Sequence, residues 1–436
     1  MSNTPKLIGP DRIFERWRWQ IFAVTWLAYA GFYLTRKSFW IAKIELEKPL
    51  VMGLTKADMT WIDVGNQTAY ALGQFVLGMC GDRFGARKVV LIGMLGSVAA
   101  AVAMGMSTSV ILMGVFFGIQ GFAQSSGWAP LAKNVSAFFS QRERGTVMGM
   151  WCTNYAIGGL VASPVAGYFA EKYGWPYAFY VPAILLGGVA VLFWFGQRNR
   201  PEDVGLSSVE KYHGEEEILV VAQDPELAPK TVRWQVVREV MASPMVLLLA
   251  AVYFFLKPTR YAIFAWGPKY LNERLGTGMT QSGLLSALFE LAGPISVLVA
   301  GVASDRLFRS RRIPVAVICL LAVAVILFTM DKLPATRLAL GSCLFLIGLF
   351  LYAPDSLVSG TAAVDFGTKQ GASTAAGIIN GAGSLGAIFG VGVPGLLQKS
   401  WGWDGVFMAL AGSILVAAAL LLPKWNVLPG APPKSS

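Results

Sequence analysis

Uncharged runs of roughly 17–25 residues, each able to cross about 30 Å of hydrocarbon as a helix, recur along this whole chain. Twelve such spans fall near 19–42, 59–80, 88–106, 109–131, 145–170, 176–196, 244–271, 280–304, 313–330, 336–360, 370–398 and 404–423. Composition agrees. Only 14% of the 436 residues are charged and 55% are hydrophobic, where a soluble chain carries about 25% charged residues. The sequence therefore predicts an all-α membrane protein with twelve transmembrane helices.

The first 18 residues are polar and basic, but no small-residue cleavage site follows the apolar run, so the first span is expected to stay. Cys80, Cys152, Cys319 and Cys343 lie in or at the ends of spans and offer neither a disulfide framework nor a metal-type spacing. The single histidine, His213, falls in the hydrophilic middle segment. No nucleophile, metal or cofactor constellation is present, so neither an enzyme nor a cofactor is expected. The net charge of +11 is explained by topology. With the N-terminus inside, the segments assigned to the cytoplasm hold 22 Lys and Arg, against nine on the other side and five within or at the edge of spans. That is the positive-inside pattern, with both termini cytoplasmic, and it argues against nucleic-acid binding.

Residues 197–243 break the apolar rhythm and divide the chain into an N-terminal six-helix half (1–196), a cytoplasmic linker (197–243) and a C-terminal six-helix half (244–436). The halves repeat one plan. GMCGDRFGARK (78–88) returns as GVASDRLFRSRR (301–312), so that Asp82 and Asp305 are 223 apart, and YGWPYAF (173–179) returns as WGWDGVF (401–407), with Trp175 and Trp403 228 apart. A parallel repeat of this kind places a substrate site between the halves, near the middle of the membrane.

Arg36, with Lys37 beside it, and Arg260 occupy equivalent places in the first span of each half, 224 residues apart. Each sits about 25 Å along its helix at 1.5 Å per residue. A single arginine there could snorkel to the headgroups. Two at equivalent points of a repeat favour a shared cavity instead, and like charges aimed at one cavity call for an anion. A guanidinium fork matches phosphate or carboxylate oxygens bidentately, and two forks suit a dianionic phosphate. No Asp or Glu lies within a turn of either arginine in sequence.

Other polar groups fall inside spans. Glu290 and Asp355 are single carboxylates at membrane depth, candidates for ion pairs or proton coupling, and Lys257 lies one turn before Arg260. Tyr29, Tyr33, Tyr70, Gln74, Trp128, Tyr155 and Tyr352 are candidates to line the cavity, with core packing as the plainer role of each aromatic. Between the second and third spans of the first half, Gly78 is expected to allow close helix approach, and Asp82, Arg83 and Arg87, with Asp305 and Arg306 in the second copy and Arg144 in SQRERG on the next cytoplasmic connection, are candidates for a charged layer that holds one conformation of a rocking carrier. The plainer role of these cations is anchoring at the inner surface.

Two six-span halves with this motif resemble the major facilitator superfamily, and more specifically its organophosphate:phosphate antiporters, the glycerol-3-phosphate and hexose-phosphate transporters. The residues that carry the likeness are RWQIF (18–22), YAGFYLTRKSF (29–39), GWAP with Lys133, SQRERG, RYAIFAWGPKYL (260–271), ASDRLFRSRR (303–312), LYAPDSL (351–357) and GASTAAG (371–377). It runs from about residue 12 to 423. The resemblance implies that Arg36 and Arg260 grip phosphate, and that the protein exchanges inorganic phosphate for a phosphorylated metabolite in a bacterial inner membrane, as a monomer. The organic end of the site departs from both well-known types. Tyr155 stands where glycerol-3-phosphate transporters have a histidine and Gln74 where they have a lysine, while Ala376 and Ile379 replace the Asp and Lys that hexose-phosphate transporters carry in the eleventh span. With Lys257 as a third cation, phosphoglycerate-like or polyhydroxylated esters are expected to fit. The family also includes a membrane sensor of sugar phosphate, which remains an alternative, as does a proton-coupled organic-anion symporter using Glu290 or Asp355.

Overall fold

The computed structural model describes residues 12–139, 147–207, 209–213, 238, 241–308, 311–358 and 372–427. Among these residues the chain contains helices and turns and no strand. Lipid offers no partner to a backbone N–H or C=O, so each crossing must satisfy its own, which a helix does. Among the described residues, eight helical segments are long and apolar enough to cross a membrane by length and composition. One of them, Gly377–Lys424, contains two of the expected spans. The first, second and fifth spans are helical as well, over Arg12–Arg36 with Ser38–Leu46, Lys56–Phe84 and Thr153–Tyr173. All twelve expected spans therefore have a helix.

The repeat is visible in the backbone. Gly174, between the fifth and sixth spans, has φ 102°, and Gly402, which kinks the last long helix between the eleventh and twelfth, has φ 63°. They are 228 apart, as Trp175 and Trp403 are. Gly53 (φ 63°) and Gly276 (φ 64°), each ahead of the second span of its half, are 223 apart. Both glycine pairs occupy the left-handed region that side chains with a Cβ avoid, so the same turn is written twice.

The halves differ at their first spans. In the second half one continuous helix runs Pro244–Leu275. In the first half the helix ends at Arg36, turns at Lys37 and resumes at Ser38. The spans that follow begin differently too. Thr55 caps the second span, its Oγ1 accepting from the Asp58 N–H at 3.2 Å while Asp58 accepts from the Thr55 N–H at 2.9 Å. Such reciprocal caps satisfy two orphan donors of a helix start. The equivalent position of the eighth span is Gly278, which has no side chain to cap with. There Glu171 of the other half accepts from the Thr280 N–H at 2.9 Å.

Candidate functional site

Arg36 stands at the break in the first span. Its Nε donates to Gln124 Oε1 at 2.8 Å, and Gln124 Nε2 donates to Thr35 Oγ1 at 3.0 Å. The guanidinium lies over the rings of Tyr33 and Tyr70, at 4.6 and 4.9 Å from their centroids. Behind it, Tyr29 packs edge-on against Tyr33 and Trp128. Gln74, half-buried, follows Tyr70 by one turn of the second span. Arg36 Nη2 is buried and has no hydrogen-bond partner among the described residues. A buried donor of this kind costs free energy until something accepts from it.

Arg260 is held differently. Its Nη1 donates to Asp355 Oδ2 at 2.6 Å, and Lys257 Nζ lies 3.3 Å from Asp355 Oδ1. The fold thus brings a carboxylate from the tenth span, 95 residues away, between two cations of the seventh. The Arg260 guanidinium lies 4.6 Å from the ring of Tyr352 and 5.5 Å from that of Tyr155, which comes from the first half. The side chains of Lys257, Arg260 and Asp355 keep 12%, 10% and 8% exposure, so the triad borders an accessible space. Arg260 Nε and the Tyr352 hydroxyl are buried without a partner among the described residues.

Lys37 turns away from this group. It forms an ion pair with Glu290 of the eighth span, both side chains almost wholly buried, beneath the ring of Phe264 at 4.4 Å. Gly159 packs against that acid, and a Cβ there would lie 3.0 Å from Glu290 Cγ. The carboxylates suggested for coupling are therefore both engaged with cations, Glu290 across the halves and Asp355 within one.

Sequence reasoning missed a second buried pair. Lys43 and Asp63 bind one another with no solvent exposure, and Trp40 Nε1 donates to Asp63 at 3.0 Å. Lys43 also donates to the Ala265 carbonyl across the halves at 3.3 Å and sits 3.9 Å from the Trp266 ring centroid. The available signal was an aspartate in WIDVG, inside an otherwise uncharged span. Further out, Lys269 binds Glu47, Lys56 meets Glu273 at 3.0 Å, and Trp403 donates to Glu273 at 2.7 Å. Among the described residues, the cross-half ion pairs and hydrogen bonds found here lie at or beyond the level of Arg36, on the membrane side away from the termini.

The charged layer suggested near the termini is described only in part. Arg144 lies outside the described residues, and so do the side chains of Asp82 and Asp305. Arg83 is exposed against Phe84, and Arg306 is exposed. Arg87 donates to the Trp194 carbonyl at 2.6 Å, and its backbone N–H donates to Asn199 at 2.9 Å, contacts with the first half and the start of the linker. Close helix approach falls at Gly81, where a Cβ would lie 2.7 Å from the Pro130 ring. At Gly78 a Cβ would meet nothing within 4 Å, so the packing role expected of Gly78 belongs to its neighbour one turn on.

Residues 25–372 match the Major Facilitator Superfamily. The chain is 31% identical over 423 residues to a probable hexose phosphate transport protein of Chlamydia pneumoniae, covering 95% of this chain and 92% of that one. It is 31% identical over 430 residues to the membrane sensor protein UhpC of Salmonella typhimurium, covering 98% and 96%. It is also 30% identical over 424 residues to a glycerol-3-phosphate transporter of Bacillus subtilis, covering 95% and 94%. Among solved structures it resembles the D-xylose-proton symporter, with a TM-score of 0.71 at 12% identity over 94% of this chain and 98% of that one. A mutant of the nucleoside transporter NupG gives a TM-score of 0.68 at 12% identity, over 94% and 100%. These two likenesses are of fold.

Proposed function

Because the chain belongs to the Major Facilitator Superfamily, and to the branch that holds hexose phosphate and glycerol-3-phosphate transporters, we propose that it is a secondary carrier exchanging inorganic phosphate for a phosphorylated organic metabolite. The observation that carries this reading is Arg36. It is a half-buried cation at membrane depth, ringed by tyrosines and an amide, with no carboxylate in the contacts described for it and a free donor at Nη2. Arg260, in the second half, faces Tyr155 of the first half and keeps a free Nε. A phosphate dianion bridging the two would satisfy both donors.

The mechanism follows from charge. Unloaded, an unneutralised guanidinium is costly to seal away from water. Loaded, the anion neutralises the site and closure over it becomes feasible, so the carrier turns over mainly when occupied and exchange is its natural mode. With the termini in the cytoplasm of a bacterial inner membrane, the ion pairs of Lys37, Lys43, Lys56 and Lys269 seal the outer side, and alternating access requires the cross-half ones to part. In this reading the two six-helix halves, 1–196 and 244–436, rock as units about a single site, and the protein acts as a monomer without a cofactor and without catalysis.

The likeness to a sensor gives a second reading, a transporter-shaped receptor for a phosphate ester. Proteoliposomes preloaded with labelled phosphate separate the two. The carrier reading expects phosphate efflux when glucose 6-phosphate or glycerol 3-phosphate is added outside. Binding of the esters without any efflux supports the receptor.

A further inference from the structure

The charges around the site can be counted. Lys37 and Glu290 cancel, as do Lys43 and Asp63. Arg36 contributes one positive charge. Lys257, Arg260 and Asp355 together contribute one more, because a single carboxylate is shared between two cations. The tyrosines and glutamines nearby are neutral. Among the described residues the centre therefore carries two net positive charges, the complement of one phosphate dianion. Lys257, counted from sequence as a third cation open to a second anionic group, is already engaged 3.3 Å from Asp355.

Resting on the phosphate-ester reading, we propose that Asp355 sets the valence of the cargo. It limits the carrier to dianionic monophosphate esters whose remaining part is neutral and polyhydroxylated, and it discriminates against esters that bear a further carboxylate. The chemistry at that end fits hydroxyl groups. A carboxylate accepts several hydrogen bonds and the Lys257 ammonium donates three. The Tyr352 hydroxyl, buried and unpartnered among the described residues, can do either. Donor, acceptor and a hydroxyl standing together beside Arg260 bind neighbouring sugar hydroxyls. A carboxylate entering there would meet Asp355 as a like charge.

The test is a ranking of two probes, glucose 6-phosphate and 3-phosphoglycerate. Each competes against labelled phosphate in proteoliposome exchange, and each is titrated for thermal stabilisation of the purified protein. In the wild type the sugar phosphate is expected to win by about tenfold or more, at the low end of what like charges cost at an interface. Asp355→Asn raises the site to three positive charges and should reverse the order. Asp355→Asn combined with Lys257→Gln returns it to two and should restore the order. Should Asp355→Asn fail to accumulate, Lys257→Gln alone reads the same rule in the other direction, with 3-phosphoglycerate weakened more than the sugar ester. A wild type that favours 3-phosphoglycerate, or a ranking that all variants share, overturns the proposal. Absence of exchange in the wild type would sink the carrier reading alone, since thermal stabilisation still reports the ranking.

Discussion

Arg36 and Arg260 are 224 residues apart in a chain that repeats at that distance, yet their surroundings are opposite. Arg36 rests on an amide and two tyrosine rings. Arg260 shares Asp355 with Lys257. A repeat copies backbone and position; it does not copy electrostatics. One half offers an unspent cation, and the other a buffered one that is fixed in place before any anion arrives. The difference suggests a division of labour in which Arg36 supplies most of the attraction and the second half shapes what else is admitted.

The largest expected effect breaks that comparison at its stronger side. Arg36→Ala should lower phosphate exchange about a hundredfold or more, the scale seen when one partner of a buried charge contact is truncated. Lys should rescue poorly, since a point charge replaces a bidentate fork. Transport assays on variants that still insert in the membrane check this. The second half should behave differently. Arg260→Ala leaves one net charge, because Asp355 then cancels Lys257, and adding Asp355→Asn should recover about tenfold of the lost exchange by restoring the count. If the double variant is no better than the single, charge is not what the triad supplies.

An effect on stability, with a smaller one on transport, concerns the buried pair that joins the halves. Lys37→Met or Glu290→Gln alone strands a buried charge or an unpaired partner, a loss of about 3–5 kcal/mol. Lys37→Met with Glu290→Met should recover most of that stability in thermal unfolding, while shifting the balance between conformations. The smallest effect compares the two helix starts. Thr55→Ala removes a local cap worth about 1 kcal/mol, and should lower stability whichever side of the carrier is open. Glu171→Gln weakens a cap that exists only while the halves touch. It should therefore change accessibility of the outer side, read by labelling of an introduced cysteine, more than it changes unfolding.

Much of the architecture was legible because lipid imposes a simple rule: apolar runs of membrane length become helices, and the repeat fixes their grouping. Arg36 and Arg260 were legible for the same reason, as charges at matched depth. Their partners were not. Asp355 is 95 residues from Arg260, and Glu290 is 253 from Lys37. Spacing within a helix cannot reveal which carboxylate of another helix will face a given cation. Lys43 was hidden more thoroughly, since it follows the apolar run and reads as an interfacial charge until Asp63 is found against it. Gly78 misled because the motif draws the eye to its first glycine, whereas the close contact with Pro130 falls at Gly81.

The central claim is that an anion must neutralise Arg36 before the halves can exchange sides. Uptake of labelled phosphate into proteoliposomes with and without internal phosphate tests it most directly, run for the wild type and for Arg36→Ala. The account predicts rapid uptake only into phosphate-loaded vesicles, and none above background for Arg36→Ala. Equally strong uptake into phosphate-free vesicles, driven by a proton gradient alone, would contradict it.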